Sequence, residues 1–305
     1  MKKIDGIIIP SVTPFDETGA LRTDWLRENF RIWNSSAVCG MMVLGSNGEL
    51  RSLSDDESFE VIAAASESIA EDKILIAGVG RESLCQTKMF LKRLADENLK
   101  IDYVSVLTPC YFKAAMTDEA LMDYYTEIAE YSRYPVFIYC APGFANGVKL
   151  SAEAVARLAD HPNIAGVKDT TPDMMASYMD AAGGRDDFMV IAGKLSNIMY
   201  CLEHGGKGGI ISSSNYFPNA CSKLVRLYKE EGKDSTERYY QTLSELGSST
   251  GGRASVAGVK AVMNLVGKKG GVPRLPVLPV TGSLLEEIKA YIQSHKELVE
   301  SDFDC

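Results

Sequence analysis

A chain of 305 residues, 46 % of them hydrophobic, can bury a full core as one large α/β domain or two smaller ones. A formal net charge of −9 argues against bulk attraction to nucleic acid or to an anionic membrane surface. Only three histidines occur, none at metal-ligand spacing from another, and no apolar stretch approaches the roughly 18 residues of a membrane-spanning helix.

The opening segment, MKKIDGIIIPSVTPF, carries two lysines and an apolar run too short for a signal peptide. The seven cysteines never form a CxxC pair and read as reduced thiols, which predicts a cytoplasmic protein. GIIIP (6–10) is the first predicted strand. Leu21, Trp25, Leu26, Phe30 and Trp33 then share one face of a helix over 21–33. GMMVLG (40–45) is the second strand. A helix over 55–69 follows it, with an acidic first turn after Ser54 and Phe59, Ile62, Ser66 and Ile69 in helical period.

KILIAGVG (73–80) and DYVSVLTP (102–109) are the third and fourth strands. A helix over 118–131 aligns Leu121, Met122, Tyr125 and Ile128. PVFIYCAP (135–142) is the fifth strand, and Ser151 opens a helix before VARLAD. IAGVK (164–168), FMVIAGK (188–194) and GGIISSS (208–214) bring the count to eight. Most runs do not alternate, the pattern of strands covered on both faces. Alternating strands and helices predict parallel strands joined by helical crossovers. Eight units in about 210 residues match a (β/α)8 TIM barrel. The expected organisation is a barrel over 1–216 and a helical extension over 217–305. The extension carries helices over 218–231, 234–248, 255–266 and 283–298, and a Pro/Gly-rich connection at 268–282. Neither GGKGG nor STGGR satisfies the phosphate-loop pattern GxxxxGK[ST].

In such a barrel, chemistry sits where strands end. Lys168 ends the sixth strand, with its stem in the core and its amine near the mouth. Burial disfavours the ammonium, and an amine neutral near pH 7 attacks a carbonyl to form a Schiff base. A rim salt bridge is the plain alternative. Tyr139 ends the fifth strand beside Lys168, as core filler or as a proton relay. Tyr111 follows the fourth strand in TPCYF and reads, by itself, as loop packing. GSNGE, Gly45 to Glu49, is either a tight turn or a carboxylate-holding loop of backbone N–H groups with Ser46 and Asn47. Glu49 is then a structural acceptor. Taken together, these groups on strands 2, 4, 5 and 6 suit an α-keto acid such as pyruvate.

The motifs TPF (13–15), GSNGE (45–49), LTPCYF (107–112), YCAP (139–142), GVKD (166–169), AGK (192–194) and GGIIS (208–212) stand in an order that resembles one family. It is the dihydrodipicolinate synthase / N-acetylneuraminate lyase family of class I pyruvate-dependent aldolases, and the likeness runs from about Gly6 to about Leu278. It implies that Lys168 is the Schiff-base lysine and Tyr139 its proton relay. Ser46 would link Tyr139 to Tyr111, and Asn47 replaces a second loop threonine. Gly193 and Ile210 match positions lining the pocket. Tyr111 would reach a neighbouring subunit's site, which implies a homo-oligomer, commonly a homotetramer built as a dimer of dimers. No cofactor and no metal are implied.

YCAPGFANGV lacks the arginine with which synthases grip aspartate semialdehyde, and an Asn146-Gly147 pair stands there. The pattern resembles most the 4-hydroxy-2-oxoglutarate aldolase branch and related 2-keto-3-deoxy sugar acid aldolases. The expected function is a Schiff-base lyase that releases or uses pyruvate and an aldehyde. Dihydrodipicolinate synthase is the alternative enzyme. A non-catalytic sugar-acid or phosphate-binding barrel, holding its ligand at AGKLSN and GGIISSSN, is the alternative from another class. Lys194 either contacts a distal carboxylate or is a solvated loop lysine.

Overall fold

The computed structural model describes residues 2–171 and 173–302. Eight strands close into a parallel barrel in chain order: β1 Ile7–Pro10, β2 Gly40–Val43, β3 Ile74–Gly78, β4 Tyr103–Leu107, β5 Val136–Cys140, β6 Ile164–Asp169, β7 Met189–Ala192 and β8 Gly209–Ile210. Every residue of β1, β2, β3, β5, β6 and β8 is buried, which is why their runs are apolar without alternation. A helix follows each strand in turn: α1 Thr23–Asn34, α2 Asp55–Ser68, α3 Leu84–Ala95, α4 Asp118–Tyr131, α5 Ala152–Ala159, α6 Met175–Ala182, α7 Ile198–Glu203 and α8 Pro218–Glu231. The chain continues through α9 Lys233–Ser249, α10 Ser255–Leu265 and α11 Gly282–Ser294. None of the described helices is long and apolar enough to cross a membrane.

Helix starts follow their side chains. Ser54 and Glu57 form a reciprocal capping box on α2, each side chain bonding the other's backbone N–H. Thr117 caps α4 and Ser151 caps α5 by accepting from the N–H three residues on. The eighth strand is shorter than the run GGIISSS predicts, because residues Ser212–Asn215 turn into a 3-10 helix. The Ser214 hydroxyl donates to the Ile211 carbonyl at 2.6 Å, and the Asn215 amide to Ser212 at 3.1 Å and Pro10 at 2.9 Å. Those bonds take the carbonyls a longer ladder would use.

The chain groups into two compact units, one of residues 2–3 with 76–210 and one of residues 4–75 with 211–302. In the first, Tyr103 packs edge-on against Phe137 at 5.1 Å, and the buried Tyr125 hydroxyl donates to the Val106 carbonyl at 3.1 Å. In the second, the fully buried Trp33 packs on Phe30 at 5.8 Å and donates to the Asn215 carbonyl at 3.2 Å.

Candidate active site

Parallel pairing of β5 with β6 sets Tyr139 opposite Lys168, and pairing of β6 with β7 sets Ile191 on its other side. The Lys168 residue is 3 % exposed, and its Nζ lies 4.0 Å from the centroid of the Tyr139 ring. Burial alone lowers the amine's pKa from 10.5 to about 7. The neighbouring Asp169 does not neutralise it. Successive strand side chains point to opposite faces, so Asp169 leaves the strand on the other side. There its buried carboxyl is raised above its usual pKa by desolvation and accepts from the Thr171 N–H at 2.9 Å. The lysine is therefore held where the sequence expects, with its nitrogen over the phenol ring it was paired with.

Gly193, just past β7, approaches this strand end closely. Its N–H donates to the Asp169 carbonyl at 2.6 Å, and a Cβ built on it would stand 2.3 Å from the Thr170 methyl. Only glycine lets the chain pass here. Ile210, the last residue of β8, is 2 % exposed. Lys194 is exposed. Tyr111 is 78 % exposed on this chain and packs edge-on against Phe112 at 4.9 Å. What fixes its backbone is Glu82, whose carboxylate accepts from the N–H groups of Cys110 at 2.8 Å and Tyr111 at 2.9 Å. Glu82 sits in the loop after β3, in GRES, and nothing in that tetrapeptide signals the role.

In the other unit, the loop after β2 is bounded by two non-glycine residues in the left-handed region, Leu44 at φ 57° and Glu49 at φ 51°. Ser46 and Asn47 are half-buried. The Asn47 amide donates to the Ser212 hydroxyl at 2.9 Å, and the Thr13 hydroxyl of TPF donates to the Gly48 carbonyl at 2.7 Å. Glu49 is buried and acts as an acceptor: it pairs with Lys260 at 2.5 Å and takes the Arg274 N–H at 3.0 Å. The sequence reading missed Lys260 and Arg274. The one available signal was a lysine inside the apolar run SVAGVKAVMNL.

A model of the dihydrodipicolinate synthetase family matches residues 3–295. The 4-hydroxy-tetrahydrodipicolinate synthase of Xanthomonas axonopodis pv. citri is 32 % identical over 282 residues, covering 92 % of this chain and 91 % of that protein. A protein of Emericella nidulans named "Probable 4-hydroxy-2-oxoglutarate aldolase, mitochondrial" is 27 % identical over 301 residues, covering 97 % and 96 %. The crystal structure of dihydrodipicolinate synthase from Thermotoga maritima superposes with a TM-score of 0.89 at 27 % identity, covering 97 % of this chain and 99 % of that one.

Proposed function

The chain belongs to the dihydrodipicolinate synthetase family, and from that premise we propose that its Lys168 amine carries the chemistry of a class I pyruvate-dependent aldolase. The observation that supports this reading is a fully buried lysine, with a pKa of about 7, lying 4.0 Å from the ring centroid of the tyrosine opposite it in register. Neutral Lys168 attacks the keto carbon of a 2-keto acid, and the carbinolamine loses water to give an iminium. Retro-aldol cleavage drives the C–C bonding pair into that iminium, releasing an aldehyde and leaving an enamine. Protonation and hydrolysis of the enamine free pyruvate and the lysine. Tyr139 carries protons to and from the carbinolamine oxygen and the aldol hydroxyl. Ser46 and Asn47, with the N–H groups of their loop, take the carboxylate. Gly193 and Ile210 line the pocket. Tyr111, exposed on its own chain, completes the site of a partner subunit in a homo-oligomer. The iminium is the electron sink, so the proposed route needs neither metal nor cofactor.

For the substrate we propose 4-hydroxy-2-oxoglutarate, with 2-keto-3-deoxy sugar acids and synthase chemistry on aspartate semialdehyde as the alternatives. Asn146 at φ 51° and Gly147 at φ 79° form a left-handed turn after β5. The amine of Lys113, from the loop after β4, lies 3.2 Å from where a Cβ on Gly147 would stand. Among the described residues it has no hydrogen-bond or ion-pair partner. A cation left open against a bare turn supports a substrate with a second, distal carboxylate. Lys113→Gln should raise KM for 4-hydroxy-2-oxoglutarate about tenfold, the worth of one charge-assisted hydrogen bond. It should leave cleavage of a 2-keto-3-deoxy acid with no distal carboxylate unchanged. Steady-state assay of both substrates, with aspartate semialdehyde condensation alongside, checks this. Wild-type preference for aspartate semialdehyde would replace the aldolase reading with the synthase one.

A further inference from the structure

Lys260 is a charge placed where the surrounding sequence is apolar. It is 1 % exposed on α10, among Val256, Val259, Val262 and Met263, all buried. Its amine is 2.5 Å from Glu49 Oε1, donates to the Thr13 and Val272 carbonyls at 2.8 Å each, and lies 4.4 Å from the Phe15 ring centroid. Two carbonyls accept hydrogen bonds from the ammonium, and the Glu49 carboxylate supplies the opposite charge. Burial pulls its pKa down to about 8, against the pull of Glu49. A buried ion pair rarely repays its desolvation as stability, so this one asks for another role.

Its contacts supply one. Glu49 at φ 51° closes the loop that Gly45 opens, in a conformation that a non-glycine residue holds only when its surroundings over-determine it. Lys260 grips that loop twice: directly through the Glu49 carboxylate, and through Thr13, whose hydroxyl holds the Gly48 carbonyl at 2.7 Å. Arg274 adds its N–H to the other Glu49 oxygen at 3.0 Å. Its guanidinium is itself fixed on Gly19 at 2.9 Å, Ser52 at 2.8 Å and Glu57 at 2.9 Å. Both cations come from the part of the chain beyond β8, more than two hundred residues from the loop.

We infer that Lys260 is a positioning residue for keto-acid binding: from α10 it fixes the loop after β2 in the one shape that lets Ser46 and Asn47 meet the carboxylate. The inference rests on the role proposed for that loop. It predicts an effect on keto-acid binding and none on the chemical step.

The test is borohydride trapping of pyruvate by the full chain across a pyruvate titration. The proteins are wild type, Lys260→Met and the double variant Lys260→Met/Glu49→Gln, each checked for folding by circular dichroism. The double variant carries no unpaired buried charge. The half-saturating pyruvate concentration should rise about 10- to 100-fold in both variants, the effect of a misplaced binding group. The maximal trapping rate should stay within about threefold of wild type, which a general loss of structure would not allow. A folded variant with wild-type half-saturation overturns the assignment. A double variant that does not fold also overturns it, since the pair would then serve folding alone. Failure of the wild-type protein to trap pyruvate would instead count against the function proposed above.

Discussion

Lys168→Met should abolish turnover and make the protein more stable at neutral pH. The loss should be on the order of 10⁴-fold or more, because the substitution removes the proposed nucleophile. The gain in stability follows from the same burial. The folded-state pKa of the amine is lowered from 10.5 to about 7. Between about pH 7 and the unfolded value near 10.4, the unfolded chain therefore binds more protons at this position than the folded one. Stability contributed by this residue rises with pH through that window and is lowest at and below about pH 7. A methionine fills a similar volume without the amine, so the variant's thermal midpoint should exceed wild type most at pH 7, and the difference should shrink toward pH 10. Wild-type kcat/KM should rise through about pH 7 as the amine loses its proton, then level off. Thermal melts and a pH–rate profile measure both. An equal midpoint difference between variant and wild type at pH 7 and pH 10 would mean that the amine is not desolvated, and the case for a neutral nucleophile would go with it.

Tyr139→Phe should lower kcat by about 10²- to 10⁴-fold, the range of a removed general acid–base group. The ring, which packs against the Lys168 amine at 4.0 Å, is retained. Packing and the lysine's burial are therefore unchanged, and the variant should still form a Schiff base with pyruvate, slowly. Single-turnover cleavage separates the two steps: carbinolamine dehydration and aldol cleavage should both slow. Near-normal turnover in Tyr139→Phe would remove the phenol from the mechanism and leave its ring as core filler.

The barrel was legible because parallel strands, covered on both faces, write themselves as apolar runs, and each of the eight runs overlaps one strand. The length of β8 was not legible. Its serines resemble strand continuation until their hydroxyls and the Asn215 amide are seen to hold a 3-10 turn. Helices α3, α6 and α7 were visible mainly as spacing. α6 has no side-chain cap, and α7 is only 6 residues long. The Lys168–Tyr139 pair was readable because a polar residue ending an apolar strand stands out and neighbouring strands follow chain order. Asn146-Gly147 was legible only as a departure at the place of the missing arginine, and its positive-φ turn came from the structure.

The supports of the site were not readable. Glu82 under Tyr111, and Lys260 and Arg274 behind Glu49, act through pairings that no local pattern encodes. A lysine inside an apolar helix says that a partner exists, and only the fold says that the partner is Glu49, 211 positions away in sequence. The Lys168–Tyr139 pair, proposed for the chemistry, was thus marked by polar groups at the ends of apolar strands. The residues that hold them in place were hidden, because their meaning lies in another segment.

The central claim is that one buried ε-amine condenses with a keto acid. Incubating the wild-type protein with pyruvate and borohydride, then mapping the adduct by peptide mass spectrometry, tests it most directly. The account predicts a single reduced adduct on Lys168, absent from Lys168→Met. No adduct, or one carried by an exposed lysine such as Lys194 with Lys168 unmodified, would contradict it.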